Sequence, residues 1–288
     1  MNALPDGITH DTWQGLDVLR LQSPHSSALL SLYGGQLLSF VPNGFDDLLW
    51  LSPDSALPPR PIRGGVPVCW PYFGRQGQEA DAPQHGHARL TRWQLVDART
   101  QVDGSLQLKL ALPLEPGVPL ELAMTLHVGK ELRQSIDTLH RGDAAYTLTQ
   151  ALHTYLRVAD ARQASVTGLD GLPYADKYDG ATHRQSGPWS LHDPRDPGRS
   201  DRIYTGTGHR FDLLDTAGGR RIRLDTFGSR SLVVWNPGAD GARDIADMPH
   251  DGWQHFICLE AANAGEDRIE LEPGQRHRLS QVLSVSSL

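Results

Sequence analysis

Apolar and polar positions alternate over much of the chain, with the period of two that half-buried strands require. Leu106, Leu108, Leu110 and Leu112 occupy every second position, with more polar neighbours between them. After a turn-forming stretch at 113–119, Leu120, Leu122, Met124, Leu126 and Val128 repeat the pattern. The two runs are expected to pair as an antiparallel hairpin, continued by Leu132, Gln134 and Ile136 as a meander. A largely apolar run at 29–41 is broken by Gly34 and Gly35 and predicts two strands meeting at a turn. Further strands are expected at 221–224, 231–235 and 253–259. A final strand pair is expected at 268–271 and 277–285, turning at Pro273 and Gly274.

The segment 146–158 separates two faces. Leu148, Leu152, Leu156 and Val158 share one parity with Gln150 and Thr154; Thr149, Ala151, His153, Tyr155 and Arg157 take the other. Large polar groups in mid-sheet suit the floor of a concave, solvent-filled cleft better than a dry core. No long amphipathic helix is visible, and 244–251 allows only a helical turn or short loop. No internal repeat stands out. The region 172–200, rich in Gly, Pro, Asp, His and Arg, reads as a long structured excursion of the kind that lines sites. The expected fold is all-β: a large antiparallel β-sandwich forming one domain over 1–288.

Composition agrees with that picture. The 29 glycines and 20 prolines among 288 residues favour many turns, and 39% hydrophobic residues is enough for a sizeable core. A net charge of −7 argues against a general nucleic-acid binder, while two or three local arginines would still attract a small anion. The first residues show no basic-then-apolar leader and no stretch approaches 18 apolar residues, so a cytoplasmic protein with no membrane span is expected. Without an assembly motif, the expected state is a monomer. Cys69 and Cys258 sit in apolar company and are expected to be buried free thiols.

Two segments fit no strand label: 60–74 and 84–89. Both combine glycine with arginine, histidine or large aromatics, as a loop wrapped round a polar ligand would. With the segments ALHTYLRV at 151–158, SDRIY at 200–204, VVWNP at 233–237 and FICLEAAN at 256–263, the stretches PIRGGVPVCWPYFG at 61–74 and QHGHAR at 84–89 resemble the aldose 1-epimerase superfamily, in its hexose-6-phosphate branch. The pieces occur in the right order over nearly the whole chain. The resemblance implies a supersandwich with its site in a cleft on one sheet, no cofactor and no metal. It implies His153 as general acid, Glu260 as general base, and His85 and Asp201 as holders of sugar hydroxyls. Arg63 matches a substrate-binding arginine, and Arg89 is its partner for a phosphorylated sugar. One position departs from the branch pattern: His87 stands where an aromatic is usual.

The chemistry suits these residue types. Opening a hemiacetal protonates the ring oxygen and deprotonates the anomeric hydroxyl, so a paired acid and base that later exchange roles is what the reaction needs. A histidine, with a reference pKa near 6.5, and a carboxylate supply both. Arginine forks bind phosphate oxygens bidentately. Trp70, Tyr72, Phe73 and Trp235 are candidates to pack on a pyranose face, or plain core. No P-loop, Rossmann fingerprint or GxSxG elbow is present, and no histidine spacing points to a metal. Three alternatives remain at this stage. One is a glycoside hydrolase or lyase using Asp201 with Glu260. The others are an epimerase of free hexoses and a sugar-binding protein without turnover.

Overall fold

The computed structural model describes residues 4–195, 197–206 and 208–288. The alternating runs assemble into two large antiparallel sheets. The first runs Ala164–Thr167, Arg210–Asp215, Arg220–Phe227, Arg276–Ser287, Leu132–His140, Leu120–Val128, Leu106–Ala111, Gln94–Thr100. The second runs Thr182–Arg184, Pro173–Asp176, Ser200–Thr205, Ser231–Asn236, Phe256–Asn263, Gln150–Leu152, Val68–Cys69, with Tyr155–Arg157 also paired to Phe256–Asn263. A four-stranded meander, Ile8–Trp13 through Gln36–Pro42, and a two-stranded sheet accompany them. The all-β supersandwich expected from the sequence is the observed fold. Among the described residues, no helix is long and apolar enough to cross a membrane.

The leucine rows point inward as the alternation requires. Leu106, Leu108, Leu110, Leu122, Met124 and Leu126 are at most 3% exposed. They share one cluster with Leu232, Val234, Ile257, Leu259 and Ala261 of the second sheet. Each fully buried side chain of this kind contributes about 1.5–3 kcal/mol relative to leaving it in water. The hairpin and meander form as expected, with Leu110 opposite Met124 and Met124 opposite Ile136.

Four expectations are corrected. The segment 146–158 is not one strand but three short ones, Tyr146–Leu148, Gln150–Leu152 and Tyr155–Arg157, and the first leaves for the two-stranded sheet. The parity still holds: Leu148, Leu152 and Leu156 lie in the core while Ala151 and Tyr155 pack on the opposite face. That opposite face is covered rather than solvent-filled, with His153 8% and Tyr155 2% exposed. The last two strands do not pair with each other. Ile269–Leu271 pairs with Tyr146–Leu148, and Arg276–Ser287 inserts between Arg220–Phe227 and Leu132–His140. A turn at Pro273 and Gly274 links different sheets here, which period-two patterning does not distinguish from a hairpin. Finally, Gly252–His255 is a 3-10 turn, the strand beginning only at Phe256, and a six-residue α-helix, Gly238–Arg243, forms where none was expected.

The excursion at 172–200 contains the short hairpin Pro173–Asp176 and Thr182–Arg184 and is tied down by a buried arginine. Arg202 is 0% exposed and reaches Asp176 at 3.3 Å and Asp193 at 2.8 Å. Removing one partner of such a group leaves a charge buried without compensation. Arg202→Ala is therefore expected to lower unfolding stability by about 3–5 kcal/mol, read from urea midpoints, and far more than Arg162→Ala on the surface.

Candidate active site

The strand Phe256–Asn263 is buried at all eight positions, because the second sheet is covered on both faces. Ile257, Leu259 and Ala261 belong to the core between the sheets. On the other face Phe256 and Cys258 join an aromatic cluster with Trp50 and Tyr155, and Ala262 joins an apolar one with Cys69, Ala151, Ile203 and Val233. Glu260 falls between these two clusters. The neighbouring chain repeats the order: Ala151 in one cluster, Tyr155 in the other, and His153 between them. Leu152 pairs with Ala261 and Tyr155 with Cys258, a register that sets His153 opposite Glu260. Their closest atoms, His153 Nε2 and Glu260 Oε1, are 3.4 Å apart.

The strand breaks at His153 and Thr154, which frees His153 from regular pairing; its N–H donates to the Pro67 carbonyl at 3.0 Å. The imidazole stacks on the Tyr155 ring, centroids 4.8 Å apart and planes at 10°, and meets Trp235 and His85 edge-on. Glu260 is 1% exposed. Its Oε2 and the Nδ1 of His153 are buried without a hydrogen-bond partner. A buried polar atom left unpaired costs about 1–3 kcal/mol, so two in one seam suggest groups kept ready for a ligand. Burial raises the Glu260 carboxyl well above the usual carboxylate range, against the pull of Lys177. Burial, then the charges of Arg89 and Arg63, hold the His153 imidazole well below its usual value. Both groups are thus pushed toward their neutral forms, and their contact is not a resting ion pair.

The glycine-bearing segments close round this seam. Gly65, at φ +61°, passes so near the Leu37 carbonyl that a Cβ would stand 2.1 Å from its oxygen. Gly86, at φ +73°, is held as tightly against Trp70, where a Cβ would meet the carbonyl oxygen at 2.0 Å. His85 adopts φ +65°, a left-handed backbone costing a non-glycine residue about 1 kcal/mol or more. In return its Nδ1 accepts the Gly74 N–H at 3.1 Å, and burial keeps the ring neutral, so the remaining proton sits on Nε2 as a donor.

Three cations surround the pair. Arg63 donates through Nε to Asp247 at 3.1 Å and through a terminal nitrogen to the Tyr155 hydroxyl at 3.3 Å. Arg89 donates to the Gln84 carbonyl at 2.6 Å, while its Nε is buried without a partner. Lys177 lies 3.2 Å from Asp201 and 5.1 Å over the Phe73 ring. Desolvation raises the Asp201 carboxyl, and Lys177 opposes that.

Of the residues singled out in the sequence, His153, Glu260, His85, Asp201, Arg63, Arg89, Phe73 and Trp235 gather here. Trp70 lies with the core cluster, 1% exposed, its indole N–H donating to Thr138 at 2.9 Å. Tyr72 is 8% exposed and lies within reach of the Arg89 charge. His87, in the aromatic position, meets Trp70 edge-on at 5.3 Å and so performs the packing task of that ring. Tyr155, Cys258, Lys177 and Asp247 were not singled out. The first two share the parity of His153 and Glu260, a readable signal; the other two lie on loops, where no period points at anything. The remaining motif residues hold the scaffold. Asn236 fastens the carbonyls of Trp253 and Phe256, and Tyr204 donates to Gln185. A separate surface cleft of about 370 Å³, lined by Arg230, Glu266 and Asp267, has its carboxylate Asp267 already engaged by Arg230 and Asn263.

A family profile described as aldose 1-epimerase matches residues 17–284. A protein of Escherichia coli K12 named "Putative glucose-6-phosphate 1-epimerase" is 34% identical over 279 residues, 94% of this chain and 91% of its own. One of the same name from Salmonella typhimurium is 30% identical over 280 residues, with the same coverage. Among solved structures, that of a "putative mutarotase" from Salmonella typhimurium superposes with a TM-score of 0.90 at 27% identity, covering 100% of this chain and 96% of that one.

The buried carboxyl makes a stability prediction. Above pH 4.5 the unfolded chain ionises Glu260 while the folded chain keeps the proton, so folding loses stability as pH rises. Glu260→Gln removes that penalty. Its melting temperature is expected to exceed that of the parent, by a margin that widens from pH 4.5 toward neutrality in scanning fluorimetry; equal margins at all pH would contradict the buried-acid assignment.

Proposed function

The chain belongs to the aldose 1-epimerase family and is an epimerase of the mutarotase type, and from that premise we propose that it interconverts the α and β anomers of a hexose 6-phosphate. The carrying observation is the cross-strand pair, His153 Nε2 at 3.4 Å from Glu260 Oε1, each with a second buried polar atom unpartnered. In this reading the one proton shared by the pair, held on Glu260 in the empty seam, passes to His153 when a sugar binds, and His153 gives it to the ring oxygen as the bond to the anomeric carbon breaks. Glu260 takes the proton of the anomeric hydroxyl as the aldehyde forms. After rotation about the bond to the aldehyde carbon, closure on the other face runs with the roles exchanged, so the enzyme ends as it began and no cofactor is consumed. Burial that raises the pKa of the Glu260 carboxyl makes its ionised form a stronger base.

Around the pair, His85 Nε2–H and the Asp201 carboxylate are suited to fix sugar hydroxyls as donor and acceptor. Trp235 and Phe73 offer apolar faces to the ring. The 6-phosphate is assigned to the arginine side. Arg63 is already shared with Asp247 and Tyr155, whereas Arg89 has an unpartnered buried Nε, and a phosphate oxygen would complete its fork. The names of the two relatives support a phosphorylated substrate for this branch.

Anomer exchange of glucose 6-phosphate measured by magnetization-transfer NMR, beside free glucose, tests the reading. Fast exchange is expected with the phosphorylated sugar alone. His153→Ala and Glu260→Gln are each expected to lower kcat by about 10²–10⁴-fold. Arg89→Ala is expected to raise KM by about 10–100-fold with kcat largely kept, the loss of a charged hydrogen bond to a ground-state group. Equal exchange of free glucose would remove the phosphate assignment, and no exchange with either sugar in folded protein would overturn the activity.

A further inference from the structure

We propose that His153, Cys258 and Glu260 together form a binding site for a soft divalent cation such as Zn²⁺, and that its occupancy switches the epimerase off. The inhibition rests on the function proposed above; the binding stands on geometry alone. One nitrogen, one sulfur and one carboxylate oxygen from these residues all lie within 4.8 Å of one another. A tetrahedral zinc with bonds of about 2.0–2.3 Å holds its ligand atoms about 3.3–3.8 Å apart. His153 Nε2 and Glu260 Oε1, at 3.4 Å, already span one such edge. The thiol has to close by on the order of 1 Å to complete a three-residue face.

The same register that creates the acid–base pair creates this cluster. Cys258 is on the face of Glu260, two residues before it, and opposite Tyr155, whose ring carries His153. Neither His153 nor Glu260 is tied elsewhere through its second polar atom, so turning ring or carboxyl onto a cation breaks no hydrogen bond there. The open fourth position lies on the His153 side, whose side chain is 10% exposed against 1% for Glu260. Nearby cations do not forbid the ion. Arg63 is matched by Asp247 and Lys177 by Asp201, leaving Arg89 as the main source of repulsion.

The donor set chooses the metal. Thiolate with imidazole suits Zn²⁺, Cd²⁺ or Co²⁺, whereas Mg²⁺ and Ca²⁺ take oxygen ligands and are excluded. On binding, the metal–sulfur and metal–oxygen bonds form as the S–H bond of Cys258 and the O–H bond of Glu260 break, and both protons leave to solvent. A thiolate and a carboxylate then balance the two positive charges. With a ring nitrogen and a carboxylate lone pair both held by metal, neither residue can move a proton on a sugar.

The experiment titrates Zn²⁺, Co²⁺ and Cd²⁺ into EDTA-stripped enzyme, following anomer exchange and thiolate-to-metal charge-transfer absorption in parallel. Wild type is expected to bind one equivalent, show the Co²⁺ and Cd²⁺ thiolate bands, lose exchange, and recover it with EDTA. Cys258→Ala and Cys258→Ser are expected to keep metal-free exchange but lose the bands and bind Zn²⁺ about 100-fold more weakly, at least the loss typical of a disturbed metal shell. Cys69→Ala, removing the other buried thiol, should behave as wild type. The absence of a thiolate band in folded wild type, or unchanged Zn²⁺ affinity in both Cys258 variants, would overturn the site. Thiolate bands in an enzyme that exchanges no sugar before metal is added would instead strike only the proposed activity.

Discussion

The site depends on one constraint, the register between Phe256–Asn263 and the broken strand beside it. Pairing of Leu152 with Ala261 and Tyr155 with Cys258 leaves His153 facing Glu260 with no freedom to choose another neighbour. A slip of Phe256–Asn263 by one residue would turn Glu260 into the hydrophobic core and bring Leu259 out. The register is fixed because both faces of this strand are buried, and each face carries its own cluster. Core packing therefore sets the geometry of the acid–base pair.

The pair sits at a cost that the scaffold offsets elsewhere. Two unpartnered buried atoms and a carboxyl whose neutral form is favoured by burial would be removed by any selection for stability alone. Several polar side chains of the surrounding frame are satisfied. Asn236, Asn263, Tyr204 and Arg202 are fully or nearly fully buried, and their hydrogen bonds reach across turns and neighbouring strands. In the surface cleft beside Arg230 the carboxylate of Asp267 is already engaged.

The loops contribute charge rather than shape alone. Gly65 and Gly86 bring the segments bearing Arg63, His85 and Arg89 into contact with the sheet edge at distances no side chain would permit. The excursion held by Arg202 brings Lys177 against Asp201 and Phe73. The result is a buried acid–base pair surrounded by two arginines and a lysine, the last beside a carboxylate. Such a setting suits a ligand carrying both hydroxyls and an anion.

Alternation in the chain determined the strands, because period two is a local consequence of which side of a sheet each residue faces. It determined the parity of His153, whereas Glu260 was reached through the resemblance that FICLEAAN helps to carry. The segments rich in glycine, arginine and histidine were legible as ligand-wrapping loops from residue type alone, and their order along the chain carried the resemblance to the family. Strand pairing was not legible. The ends of the chain at 268–271 and 277–285 look like a hairpin and are not one, because pairing partners are chosen by the packing of distant segments. Nor could the sequence bring Cys258 within 4.8 Å of His153, or Lys177 to Asp201, since residues more than 100 positions apart, or on aperiodic loops, meet only when the sheets close. Local periodicity determined which residues share the face of His153, while the tertiary structure alone decided which of them touch, because contact across strands is a property of register and not of sequence spacing.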